Sequence, residues 1–350
     1  MRTVRFHAVT AAVAALLGLA MGLLGVSDPQ GGGAGSPPAR PTETGGSTVP
    51  VPVSGDQYVR LAAMLHERGV DVWFEIDLVA AWQQGDQAFQ NAIDRMRVLA
   101  GVPGVVGFKV ADELGYNDGI SSVHEARSFL TDAARAIADV APGDEMLVDM
   151  VVPELGCLPW RPGLAEQACA AKAVAAHPAA SINAVQGYLE DGLVDRLDLS
   201  SGLLAAETYT GWGLDIQMAQ QEAWSYVEKA GWAAHTVLQA RKALAATGGY
   251  SGTEVDARAD VGLFVDQPVQ HGARAVDIWT WRQTYDGETV SLLADGSETN
   301  PLWQQLLERR RHGYSFITHM TPSSMAGSWV RSCDLAAQVF GQVFVAAGTG

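Results

Sequence analysis

Two adjacent acids, Asp112 and Glu113, follow the run Gly104-Val-Val-Gly-Phe-Lys-Val-Ala111. That run is short and β-rich, opens on a Pro103-Gly104 break and ends before a glycine-containing loop, so it reads as a buried strand with carboxylates at its carboxyl end. Open α/β sheets and β/α barrels keep their chemistry at that end. Asp77, Asp149 and Asp198 sit at or near the ends of three other β-rich runs. Carboxylates delivered by separate strands to one rim can divide acid and base work, because burial and a like-charged neighbour keep one protonated while the other stays ionised. Glu113 is then the expected general acid, with Asp112 raising its proton affinity. Asp149 is the expected nucleophile, or the base that activates water.

The elements that must position these groups alternate. Strands are expected over 71–78, 105–111, 146–152, 194–200, 235–241, 275–281 and 314–319, with a weak first strand at 49–53. Helices with apolar residues at helical spacing are expected after each, over 57–68, 86–99, 122–140, 167–176, 216–230, 256–270, 301–311 and 335–346. Alternating βα units imply a parallel sheet, since each crossover needs a helix. Eight units filling the chain point to a TIM (β/α)8 barrel as one domain over 49–350. The doubly wound open sheet is the alternative, and no Gly-x-Gly-x-x-Gly follows the first strand to support it.

Period-two reading of the strands separates two faces. Val72, Phe74, Ile76 and Leu78, Phe108 and Val110, and Val148 and Met150 are assigned outward to the helices. Trp73, Glu75, Asp77, Lys109, Glu113, Asp149, Arg196, Asp198, Gln239, Arg241, Asp277, Trp279, Trp281 and His319 are assigned inward. So polar an interior departs from the Val, Ile and Leu filling of most barrels, and it requires pairing or a wet cavity. Glu75, Lys109 and Asp277, early or midway on their strands, are expected to form a structural ion-pair layer, and His319 to be a satisfied core or loop histidine.

Aromatic residues gather in the loops after strands: Tyr116, Trp160, Tyr209, Trp212, Trp281 and Tyr285. Flat aromatic faces beside carboxylates suit sugar rings, whose C–H faces are apolar and whose rims need charged hydrogen-bond partners. On Val106-Gly-Phe-Lys-Val-Ala-Asp-Glu113, Asp277-Ile-Trp-Thr-Trp-Arg282 and Asn300-Pro-Leu-Trp303, the chain resembles secreted β/α-barrel glycoside hydrolases. The resemblance implies a carbohydrate substrate bound with Asp77, Asp198, Tyr116, Trp160, Trp212, Arg241, Trp281 and Arg282. It departs from the largest clan of such enzymes, which places Asn-Glu after the fourth strand and Glu after the seventh. A non-catalytic barrel that binds a glycan or a cell-surface component is the alternative function.

Composition narrows the partners. A formal charge of −16, from 39 acids against 23 bases, works against phosphate-backbone binding, so nucleic acid is excluded as a partner. Arg2 and Arg5 precede an apolar run from Ala8 to Val26, which reads as a secretory signal over 1–26, with an uncleaved membrane anchor as the alternative. Residues 27–48 are rich in Gly, Pro, Ser and Thr and read as a disordered linker. The folded part is therefore expected outside the cytoplasm. There Cys157 and Cys169 are close enough in sequence to form a disulfide, leaving Cys333 over. Metal-ligating histidines at strand ends are nearly absent, so neither metal nor cofactor is expected, and an oxygen-only metal hydrolase using Asp77, Asp112, Asp149 and Asp198 ranks behind the other two readings.

Overall fold

The computed structural model describes residues 55–239, 244–285, 287–294, 298–325 and 327–347. The expected signal, the linker and the weak strand at 49–53 lie outside the described residues. Among the described residues, no helix is long and apolar enough to cross a membrane.

Eleven strands follow in chain order: β1 Asp71–Glu75, β2 Val105–Ala111, β3 Glu145–Val151, β4 Arg196–Ser200, β5 Thr236–Gln239, β6 Ala246–Thr247, β7 Ala275–Ile278, β8 Arg282–Tyr285, β9 Glu288–Ser291, β10 Phe316–Met320 and β11 Gln342–Ala346. Eight of them close a parallel barrel in the order β1-β11-β10-β7-β5-β4-β3-β2. The chain has the TIM-barrel fold. Closure occurs where Asp71–Glu75 of β1 runs in register with Gln342–Ala346 of β11.

That closure corrects the expected order of units. The barrel begins at β1, and its eighth strand is β11, a stretch assigned above to the last helix. The last helix instead spans Trp329–Val339 and stops at Phe340, whose backbone is extended, and Gly341 precedes the strand. Within β11, Val343 and Val345 are buried in the layer between strands and helices, while Phe344 turns into the barrel. A β-branched run with alternating faces is a strand signal that the neighbouring helical periodicity obscures.

Helices between the strands bury one face against the barrel. Phe129, Leu130, Ala133 and Ile137 of helix Val123–Val140 join the outward residues Val72, Phe74, Phe108, Val110, Val148 and Met150 in one continuous core. Ser122 caps that helix by accepting from the Glu125 N–H, and Asn300 caps helix Pro301–Arg311 by accepting from the Trp303 N–H, with proline at the first helical position. One expected connection is longer than the sequence implies. After β7 the chain forms an antiparallel hairpin, β8 with β9, joined by β6, before reaching helix Pro301–Arg311. Cys157 and Cys169 are bonded, with their Cα atoms 5.5 Å apart, and Cys333 is free and buried.

Inside the barrel two layers are stacked. Trp73, Leu147, Ala275, Ile317 and Phe344 pack together as an apolar layer. Gly107 lies opposite Trp73 in the β1–β2 ladder, and a Cβ there would come within 2.3 Å of both the indole and the Glu145 carbonyl, so the close fit of this layer requires glycine. Two residues further along their strands, alternation turns the next set of side chains inward; these are the ionisable Glu75, Asp149, Asp277 and His319, and Ala346.

Candidate functional site

Six strands each contribute one inward polar side chain above the apolar layer: Glu75 from β1, Lys109 from β2, Asp149 from β3, Asp198 from β4, Asp277 from β7 and His319 from β10. Register places Glu75 beside Lys109 and Asp149 beside Asp198 on neighbouring strands. Elsewhere the register is staggered, with Lys109 opposite Leu147, Asp277 opposite Ile317 and His319 opposite Phe344, and long side chains on the tilted strands bring these groups into contact as a ring.

Lys109 is the centre of one half of the ring. Its ammonium lies 3.1 Å from Asp112 Oδ1, 3.3 Å from Asp149 Oδ2 and 3.7 Å from Glu75 Oε1, and the side chain is fully buried. Burial alone would lower the lysine pKa, but the surrounding carboxylates of Glu75, Asp112, Asp149 and Asp198 hold it well above the ordinary value. It is a fixed cation.

His319 organises the other half. Its Nδ1 lies 3.1 Å from Glu75 Oε2 and its Nε2 2.8 Å from Asp277 Oδ2. Burial disfavours the charged ring, but Asp277 and the hydrogen bonds to both carboxylates outweigh it and raise the pKa to about 10. The imidazolium therefore donates from both nitrogens. Glu75 is pushed upward by burial, yet Lys109 and His319 together bring it below the usual carboxylate range, so it is ionised. Asp198 behaves oppositely: burial, Asp277 and Asp149 raise it well above the normal value.

A cavity of about 70 Å³ opens above this ring, lined by Glu75, Asp112, Trp279, Arg282, His319 and Thr321 among others. The space accepts a few waters or one end of a ligand, against the several hundred Å³ of sites that enclose a drug-sized molecule. Phe344 lies beneath His319, with ring centroids 4.9 Å apart, and Ala346, two residues on, leaves the room that the cavity occupies.

The residues expected from sequence divide by whether they lie within a strand. Asp149 and Asp198 do, and both are fully buried inside the barrel. Asp112 lies just past β2 and lines the cavity, as does Arg282 at the start of β8. Glu113, one residue further, has left the strand; it has a positive φ of 55° and accepts a hydrogen bond from Asn117 in its own loop. Tyr116 in that loop packs against His177 with centroids 4.3 Å apart. Asp77, assigned inward, instead caps helix Leu78–Gln83 by accepting from the Ala80 N–H at 3.0 Å, because β1 ends at Glu75. Trp281 is likewise corrected. It is 2% exposed and meets Trp303 and Phe340 edge-on in the core outside the barrel, since β7 ends at Ile278 and the alternation stops there. Trp160 stacks on Tyr226 at 4.6 Å, and Trp212 meets Tyr209 edge-on, beside the disulfide segment. Arg241 lies outside the described residues.

Glu75, Lys109, Asp277 and His319, read from sequence as structural, form the heart of the site together with Trp279, Thr321 and Ala346. Their inward direction and an ion-pair layer of Glu75, Lys109 and Asp277 follow from the sequence; which group meets which does not, because the pairs with His319 cross strands distant in sequence. Asp198, Asp277 and His319 also present three ligand-type atoms within 4.8 Å of one another.

No family model matches the chain, and no curated protein matches it. Among solved structures, it is similar to the carboxyl transferase domain of Rhizobium etli pyruvate carboxylase, at 9% identity and a TM-score of 0.40, over 85% of this chain and 45% of that one. It is also similar to 7,8-dihydropteroate synthase from Vibrio fischeri ES114, at 11% identity and a TM-score of 0.39, over 79% of this chain and 88% of that one. The catalytic core of xylanase A matches at 15% identity and a TM-score of 0.36, over 68% of this chain and 76% of that one. The likenesses concern the barrel, and the chemistries these names describe differ from one another.

Proposed function

We propose that the barrel is a carbohydrate-active hydrolase that cleaves glycosidic bonds at its carboxyl-end mouth, with Glu75 and Asp112 as the reacting pair. The observation that carries this reading is that both carboxyls line one cavity while contacting the same ammonium, which bounds their closest oxygens to a separation of about 7 Å. Carboxyls about 5 to 9.5 Å apart can flank a scissile glycosidic bond. Glu75, held ionised and fixed on one oxygen by His319 and on the other by Lys109, serves as nucleophile or base. Asp112, the more exposed of the two, takes up a proton from solvent and passes it to the leaving oxygen. Trp279 offers an aromatic face to the ring, and Arg282 orients hydroxyls or an acidic substituent. Asp149 acts through Lys109 and does not touch substrate, because it is sealed beneath the ammonium. Glu113 stands beside Asp112 and shapes the loop through Asn117.

Placement outside the cytoplasm is part of this proposal. The bonded Cys157–Cys169 pair is in keeping with an oxidising compartment, where polysaccharide substrates are met.

The test is a chromogenic-glycoside and oligosaccharide screen of the wild type beside Glu75→Gln. A hydrolysed substrate is expected, with the variant slowed about 10²- to 10⁴-fold at unchanged fold. Full activity in Glu75→Gln removes the assigned role. The small cavity and the cation on each lining carboxylate favour a second reading, a glycan-binding barrel without hydrolysis. Binding on a glycan array with no turnover of any bound glycan would establish it.

A further inference from the structure

The ring below the cavity carries more acid than base. Glu75, Asp149, Asp198 and Asp277 face only Lys109 and His319 as cations in the inward layer among the described residues. Three of its members are arranged as ligands: one atom each from Asp198, Asp277 and His319 lies within 4.8 Å of the others, and all three residues are buried.

Two independent features point to a cation at that place. Asp277 Oδ1 is sealed from solvent and has no hydrogen-bond partner, although a buried carboxylate oxygen is costly unless something positive reaches it. His319 is also held as a metal-binding imidazole is held. Its Nδ1 is anchored on Glu75 at 3.1 Å, which directs Nε2 toward Asp277, and metal-bound imidazoles are held by a carboxylate on the opposite nitrogen in this way.

We propose that Asp198, Asp277 and His319 Nε2 bind a divalent transition-metal ion of the Zn²⁺ or Mn²⁺ type, reached through the cavity. Mixed imidazole and carboxylate ligands suit those ions better than Ca²⁺ or Mg²⁺, which take oxygen ligands in larger or more hydrated sets. A tetrahedral ion with bonds of about 2.0 to 2.2 Å spaces its ligand atoms about 3.3 to 3.6 Å apart, so the present set, within 4.8 Å, closes on the ion by drawing its outer atoms together and opening the 2.8 Å contact between His319 Nε2 and Asp277 Oδ2. His319 Nδ1–H continues to donate to Glu75 while Nε2 holds the ion. His319 lines the cavity, which provides both the entry path and the open coordination position for water.

The experiment is metal analysis of the whole chain, independent of the hydrolase reading. Purified protein is stripped with chelator, dialysed against Zn²⁺, Mn²⁺, Mg²⁺ or Ca²⁺, and the retained metal is counted. About one equivalent of Zn²⁺ or Mn²⁺ per chain is expected, with a rise in the thermal midpoint. Asp277→Asn and His319→Gln should abolish retention, and Glu75→Gln should weaken it about 10- to 100-fold by loosening the hold on His319 Nδ1. Cobalt loading of the wild type needs no variant: a visible spectrum of a low-coordinate N/O-ligated ion is expected. No retained metal, an aquo-type cobalt spectrum, or one equivalent that persists in Asp277→Asn and His319→Gln overturns the proposal. Hydrolysis without retained metal would leave the carboxyl-pair reading standing, and retention without hydrolysis would do the reverse.

Discussion

His319 is the residue on which the metal-free site turns, because its charge holds Glu75 on one side and Asp277 on the other. In the unfolded chain its pKa is the ordinary 6.5, and in the folded chain it is about 10. The folded state therefore binds the proton more tightly, and the resulting stabilisation is complete below pH 6.5 and disappears as pH rises through 10. Asp198 adds in the same direction, since a carboxyl whose folded pKa is raised also favours folding at low pH and loses that effect as pH rises. Urea unfolding of chelator-treated protein should show stability falling by at most about 1.4 kcal/mol per pH unit from His319 across that window. The difference between wild type and His319→Gln should shrink to nothing near pH 10. A difference that stays constant from pH 7 to pH 10 would mean that the ring is neutral in the folded protein.

At the scale of elements, the inward directions of Glu75, Lys109, Asp149, Asp198, Asp277 and His319 were readable because each lies inside a strand, where side chains alternate with a period of two. The reading failed at Asp77 and Trp281 because it ran past the last paired residue of β1 and β7, where the chain turns and the alternation no longer applies. Glu75, midway in the expected strand 71–78, is the last residue of β1, and His319 is the last but one of β10, so the strand groups lining the cavity do sit near carboxyl ends once the paired lengths are known. The strand missed altogether, β11, supplies both the floor and the opening of the site through Phe344 and Ala346. Phe344 is fully buried, touches Trp73 with centroids 6.4 Å apart and lies 5.5 Å below the Lys109 ammonium. Phe344→Ala should cost about 3 to 5 kcal/mol in urea unfolding, the range for removing a core phenylalanine. A cost below about 1 kcal/mol, the level of an ordinary surface change, would contradict the placement of β11 as the closing strand.

For the molecule as a whole, the alternation of elements pointed to a barrel, but the expected eight strands included 49–53, outside the described residues, and omitted β11; which strand meets which could not follow either, because closure joins segments about 270 residues apart in sequence. The hydrogen bond between His319 and Glu75 depends on that closure. β10 and β1 are not neighbours; β11 lies between them, pairing Met320 with Val345 on one side and Glu75 with Ala346 on the other. The small Ala346 side chain leaves the space over which the two groups meet above β11. The bond therefore reports whether both seams of β11 are formed at once, which no contact within a single βα unit can do. A double-mutant cycle on Glu75→Gln and His319→Gln, read by urea unfolding at pH 6, isolates this link from the pairing of His319 with Asp277 and of Glu75 with Lys109, which each single variant retains in part. A coupling of about 0.5 to 3 kcal/mol is expected for groups sharing a buried hydrogen bond. Repeating the cycle in Phe344→Ala should reduce it, because the floor that sets the height of the imidazole is gone. Additive single and double variants in the wild-type background would show that the two residues act separately and that the site does not draw its geometry from the closing strand.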